Sequence, residues 1–138
     1  MATPYENVYR RFLNRVRDFN LAELDDYTLN EMLKGWLNSA VIKVRTSSDL
    51  SHDDNSETFS NDLSDFDIEL LSMGMTLAWL DQTLNSSELT LQFIGGKEEK
   101  YYSQANHIAE LRALRTDTLR EMQKLHSYRT YIKSPYFD

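Results

Sequence analysis

Residues 64–85, SDFDIELLSMGMTLAWLDQTLN, limit what this chain can fold into more than any other stretch. They contain no proline, and their apolar side chains fall into two helical rows. Phe66, Leu70, Met73, Leu77, Leu80 and Leu84 make one row; Ile68, Leu71, Met75, Ala78 and Trp79 make the other. A helix apolar along one stripe lies on a surface, whereas a helix apolar on two sides must be covered from both. Ser64 followed three residues later by Asp67 marks the start: the hydroxyl can accept from an unpaired amide, and the acid suits the positive end of the dipole. Glu69 and Asp81 fall on the remaining face and are expected to stay wet. The sequence therefore predicts an all-α fold, a helical bundle of about four helices with this helix at its centre.

The flanking stretches supply the other helices. Thr3-Pro4-Tyr5-Glu6 reads as a helix start, with threonine as cap, proline in the first helical position and glutamate reaching back. Tyr5, Val8, Tyr9, Phe12, Val16 and Phe19 then follow helical spacing, which predicts a helix over 4–18. After a short connection at 20–26, Asp25 or Asp26 can cap a second helix reaching Val44. Its stripe is Leu29, Met32, Leu33, Trp36, Leu37, Ala40, Val41 and Val44. Gly35 costs this helix about 1 kcal/mol relative to alanine, and a close helix crossing beside Trp36 is the expected reason. A last helix is predicted over 97–133, with Ile108, Leu111, Leu114, Leu119, Met122 and Leu125 on its apolar side.

Three stretches do not read as helix. Residues 45–63, RTSSDLSHDDNSETFSNDL, are polar and aperiodic, so an acidic loop is expected there. Residues 88–94 alternate Leu89, Leu91 and Phe93 with Thr90 and Gln92, the period of a strand. That short extended segment has no partner elsewhere in the chain, so it is expected to lie alone or to pair with another copy. Pro135 ends the last helix and leaves an extended tail over 134–138. The run SYRTYIKSPYFD is rich in aromatic anchors, namely Tyr128, Tyr131, Ile132, Tyr136 and Phe137. Such residues either fold back on their own chain or grip a partner. The predicted organisation is thus one helical domain over 1–133, with the acidic loop inside it, and the tail.

Charge and composition narrow the function classes. Residues 45–69 hold one basic and eight acidic side chains, a net of −7 that equals the charge of the whole chain. Sequence-independent DNA binding needs a concentrated basic face, and the run Arg10, Arg11, Arg15 and Arg17 is short. There is no cysteine, hence no disulfide and no thiolate chemistry. No apolar run approaches the roughly 20 residues of a membrane span, and the opening residues lack a signal-peptide core. Asp49, His52, Asp53 and Asp54 lack the spacing and the glycine of a calcium loop. A di-iron bundle needs Glu-x-x-His twice, whereas His107 and Glu110 stand in reverse order and once. Gly95-Gly96 before Lys97 lacks the spacing of a phosphate-binding loop. Ser103 and His107, one turn apart, have no third group to complete a nucleophilic site, and a serine there is better read as a cap. No catalytic residue, cofactor or metal site is expected, and the chain does not read as an enzyme.

Four segments together resemble the head-to-tail connector proteins of tailed bacteriophages, also called adaptor or head-completion proteins. They are TPYENVYRRFLNRV, FDIELLSMGMTLAWLDQTLN, LQFIGGKEEKYYSQANHIAELRALRTDTLREM and YRTYIKSPYFD. The acidic loop lies outside the resemblance. The resemblance implies a structural virion protein in the phage neck, made in the host cytoplasm and assembled as a homo-oligomeric, dodecameric ring. The ring would bind the portal protein above and a tail or stopper protein below, with DNA passing through its lumen without specific binding. On this reading Tyr128, Tyr131, Ile132, Pro135, Tyr136 and Phe137 bind the portal. Leu89, Leu91 and Phe93 form a segment between subunits. The alternative is a soluble helical protein-interaction or regulatory module that acts through its acidic loop.

Overall fold

The computed structural model describes residues 2–16, 21, 23–44, 46, 49–94 and 98–132, with side chains up to residue 88 and over 102–127. The fold is all-α apart from one small sheet. Among the described residues four helices are present: α1 (Tyr5–Arg15), α2 (Asp26–Lys43), α3 (Asp65–Ile94) and α4 (Glu98–Ile132). The strands are β1 (Thr3–Pro4), β2 (His52–Asp53) and β3 (Thr58–Phe59). By its internal contacts the chain divides into two compact units, Met1–Ala78 and Trp79–Asp138. The division falls inside α3.

In the first unit the caps explain where the helices begin. Asp25 Oδ1 accepts from the Thr28 amide at 2.9 Å, which starts α2. Ser64 Oγ accepts from the Asp67 amide at 3.2 Å, as the spacing of the two residues predicts. The start of α1 differs from expectation. Pro4 is its N-cap, and Thr3 does not cap the helix. The Thr3 hydroxyl instead accepts from the Leu63 amide at 2.8 Å, and the Tyr5 amide donates to the Glu57 carbonyl at 2.9 Å. Thr3 is extended because β1 pairs with β3, with Thr3 opposite Phe59.

The acidic segment accounts for that pairing. Expected as a structureless loop, it contains a β-hairpin: β2 pairs antiparallel with β3, giving the sheet order β1-β3-β2. Two apolar residues order it, since Phe59 is fully buried and Leu63 is buried. Its Asp and Ser residues are turn formers that satisfy local backbone groups. Asp53 Oδ1 accepts from the Asn55 amide at 2.9 Å, and Asp49 Oδ1 from the Ser51 amide at 3.2 Å. Glu57 completes the turn in the left-handed region, with φ 53°.

The core of this unit combines Tyr5, Val8 and Phe12 of α1 with Leu33, Trp36, Leu37 and Ala40 of α2, Phe59, and Leu70, Leu71, Met73 and Met75 of α3. Eight of the eleven residues in the two apolar rows of α3 are buried, and Phe66, Leu77 and Ala78 are half-buried. Glu69, expected to stay wet, is half-buried and ion-paired with Arg11 and Arg15 of α1. The close crossing also lies elsewhere than expected. A Cβ on Gly35 would meet nothing within 4 Å, whereas one on Gly74 would stand 2.6 Å from Val44 Cγ2 and 2.8 Å from Ala40 Cβ. The glycine that lets α2 and α3 approach is Gly74.

The second unit pairs the end of α3 with α4 in antiparallel fashion. Arg115 Nε donates to Asp81 Oδ1 at 2.8 Å and Arg112 Nη2 to Glu88 Oε1 at 2.6 Å, so the partners run in opposite directions. Asp81, expected to be wet, is held in this way. Trp79, Leu80, Leu84, Ile108 and Leu111 are buried. Residues 88–94 do not form the expected extended segment but continue α3 to Ile94. Seven alternating residues are too few to separate the two periods. A lone strand would leave its amides unpaired, and a helix satisfies them internally. The expected tail at 134–138 lies outside the described residues.

Gly74 and Gly35 make a paired test. Gly74→Ala overpacks the α2–α3 crossing and is expected to lower the thermal midpoint, at a cost of about 1–3 kcal/mol. Gly35→Ala relieves a helix interior that has open space above it and is expected to raise stability by about 0.5–1 kcal/mol. Calorimetry of the two variants checks both signs.

Candidate functional site

Residues Leu89, Leu91 and Phe93, expected to form a strand between subunits, lie on the last turns of α3. A helix has no free edge, so they cannot add a strand to a neighbour. Tyr128, Tyr131 and Ile132 lie on the last turns of α4. Pro135, Tyr136 and Phe137 lie outside the described residues. Among the described residues no three His, Asp or Glu side chains cluster closely enough to hold a metal ion. No described helix is long and apolar enough to cross a membrane.

What the structure brings together instead is a polar network where the acidic hairpin meets α1 and α2. Tyr5 Oη donates to Asp54 Oδ1 at 2.6 Å. Asn38 Nδ2 donates to the Lys34 carbonyl at 3.0 Å and to both Asp54 oxygens at 3.3–3.4 Å. The Asn38 carbonyl oxygen stands 3.0 Å from His52 Nε2, and His52 Nδ1 stands 2.7 Å from the Leu50 carbonyl. One helical turn back, Lys34 Nζ pairs with Glu57 Oε1 at 3.3 Å, and two turns back Asn30 Nδ2 donates to the same oxygen at 2.7 Å. The rings of Tyr5, His52 and Phe59 pack at centroid distances of 5.1–6.2 Å.

The electrostatics follow from this geometry. Burial, reinforced by the bond to Asp54, pushes the Tyr5 hydroxyl well above the usual tyrosine range. The same Tyr5 bond, with help from Asn38 and the His52 and Lys34 charges, holds the Asp54 carboxyl below the usual carboxylate range despite partial burial. The Lys34 ammonium is raised by its bond to Glu57. Tyr9 is also raised, first by burial and then by the charges of Glu57, Asp54 and Glu31. Its hydroxyl is buried and has no hydrogen-bond partner among the described residues. On the other side of α1, burial opposes ionisation of Glu69, but the bonds from Arg15 and Arg11 win and keep its carboxyl low.

From the sequence, Asp49, His52, Asp53 and Asp54 lack the spacing of a metal loop, and Tyr5 reads as part of an apolar stripe. The sequence did not connect Tyr5 or Asn38 to the acidic segment. The separations are long, 49 residues from Tyr5 to Asp54 and 16 from Asn38 to Asp54, and no local period marks them. The one available signal was Phe59 and Leu63, two apolar residues in a stretch otherwise made for solvent. No protein-family model, curated protein or solved structure matches the chain.

The two tyrosines should behave oppositely when each loses its hydroxyl. Tyr5→Phe breaks a bond to a charged group and is expected to cost about 1.5–3 kcal/mol. Tyr9→Phe removes an unpaired buried hydroxyl and should be neutral or stabilising by up to about 1 kcal/mol. Both hydroxyls ionise later in the folded chain than in the unfolded one, so the fold loses stability to ionisation of the unfolded chain as pH rises past about 10. Denaturant melts of the wild type and both variants at neutral pH and above pH 10 check these signs.

Proposed function

We propose that this chain is a structural adaptor of a tailed-phage neck, assembled as a ring of identical subunits against a portal. The observation that carries the reading is the aromatic run from Tyr128 to Phe137 at the far end of the helix Glu98–Ile132. Tyrosine and phenylalanine supply large, low-entropy contact area, which is what a docking anchor needs. Tyr136 and Phe137, just beyond Pro135, would seat in a cleft between portal subunits. Support also comes from the resemblance of the four segments named above to connector proteins, and from the charge layout. A lumen without a concentrated basic face lets DNA slide past. A closed ring needs two different complementary patches on each subunit.

The acidic hairpin favours one other reading, an interaction module that binds through this face. The hairpin is ordered, and it and its flanks expose Asp49, Asp53 and Asp62. Removing the whole segment would not test it, because Phe59 would leave the core with it. Replacing the three aspartates by asparagine keeps the turn acceptors and removes the charge.

Negative-stain imaging of the full chain mixed with the portal ring of its phage separates the two. Deletion of residues 135–138 is expected to abolish binding while circular dichroism shows unchanged helix, and the triple asparagine variant is expected to bind normally. Binding that survives the deletion but fails in the asparagine variant rejects the tail as anchor and favours the hairpin.

A further inference from the structure

The two ring nitrogens of His52 face neighbours whose hydrogen-bond polarity is set by the rest of the network. Both amide protons of Asn38 point at groups that can only accept, the Lys34 carbonyl at 3.0 Å and the Asp54 carboxylate at 3.3–3.4 Å. The Asn38 amide therefore cannot be reversed, and its oxygen is the atom that faces His52 Nε2 at 3.0 Å. The other ring nitrogen faces the Leu50 carbonyl at 2.7 Å. Both neighbours of the ring are pure acceptors. A neutral imidazole has one donor and one lone pair, so it can satisfy one of them and must repel the other. Only an imidazolium satisfies both.

We propose that the hairpin over 52–59 is a proton-dependent latch on the N-terminal strand, closed fully only when His52 carries a proton on each ring nitrogen. The latch holds three things. β1 has β3 as its strand partner, the Tyr5 amide is capped by the Glu57 carbonyl, and Ser60 N donates to the Ser51 carbonyl at 2.8 Å. His52 is exposed, so it exchanges protons freely with solvent while its two bonds sense the result. The groups that face it are accounted for from every element packed there. α1 presents the Tyr5 ring and β3 the Phe59 ring, neither charged near neutral pH. α2 presents Asn38 and, beyond it, Lys34. The hairpin itself contributes Asp53, Asp54 and Glu57, and Asp49 precedes it.

The sign follows from proton counting. Each of the two ring protons completes a hydrogen bond only in the closed hairpin. Closure is therefore strongest in mild acid and weakens toward alkaline pH. Toward acid, Asp54 keeps its charge below the usual carboxylate range, mainly through the Tyr5 bond, so the latch survives mild acidity. Loss of one ordinary hydrogen bond, about 1 kcal/mol, corresponds to about a fivefold change in opening.

The test is nitrogen-15 NMR of the full chain at pH 5.5 and pH 8. At the lower pH the His52 ring should show two protonated nitrogens. Protection of the Tyr5, Ser60 and Leu63 amides should be about fivefold higher there than at pH 8, while the helix-end amide of Val44 stays constant. In His52→Gln the pH dependence of those three amides should disappear. A ring with a single proton at pH 5.5 while the hairpin amides stay protected overturns the proposal, and so does a pH dependence that persists in the glutamine variant. If that variant does not fold, the ring nitrogens of the wild type still decide the matter.

Discussion

Phe59 is fully buried although its neighbours in sequence are serines, aspartates and asparagines made for solvent. Its ring packs on Tyr5 at a centroid distance of 5.1 Å, and its backbone pairs with Thr3 on one side and His52 on the other. One aromatic side chain thereby ties together the start of the chain, the acidic hairpin and the first helix. Burial of a phenylalanine contributes roughly 1.5–3 kcal/mol. That is enough to hold a short hairpin whose own strands, two residues each, could not stand alone.

The negative charge concentrated in residues 45–69 is then less a solvated cloud than a set of placed groups. Asp54 is held by Tyr5 and Asn38, Glu57 by Asn30 and Lys34, and Glu69 by Arg11 and Arg15. Others serve as turn acceptors or helix starters, as Asp49 and Asp53 do for the amides of Ser51 and Asn55. The pairs at Glu69 are half-buried and count for more than exposed pairs such as Arg112 with Glu88, which contribute about 0–1 kcal/mol. Aspartate and glutamate in this segment therefore do structural work.

Much of the fold was legible because it is local. Two apolar rows on α3, the Asp25 cap and the Ser64 start all act within a turn or two of the residues that encode them. The misreadings at Gly35 and Thr3 share one cause, that their answer lies far along the chain. Gly35 looked like a crossing because Trp36 stands beside it, but only the approach of Ala40 and Val44 reveals Gly74 as the crossing glycine. Thr3 looked like a cap because four residues in a row fit a capping pattern, until β3 claimed it. The alternation at 88–94 was genuine but short, and helix continuation satisfied its backbone more cheaply. Of the expected site, the aromatic run is a property of sequence and stays the strongest functional signal, while the Tyr5–Asp54–Asn38–His52 network had no signal local enough to find.

The start of the chain is held in place only if the acidic segment is part of the core of the first unit. Chemical denaturation of Phe59→Ala against wild type measures this directly. A packed hairpin predicts a loss of about 3–5 kcal/mol, the cost of emptying a buried phenylalanine site. A loss below about 0.5 kcal/mol, typical of an exposed position, would mean that the hairpin does not hold the chain's start in place, and would contradict the account.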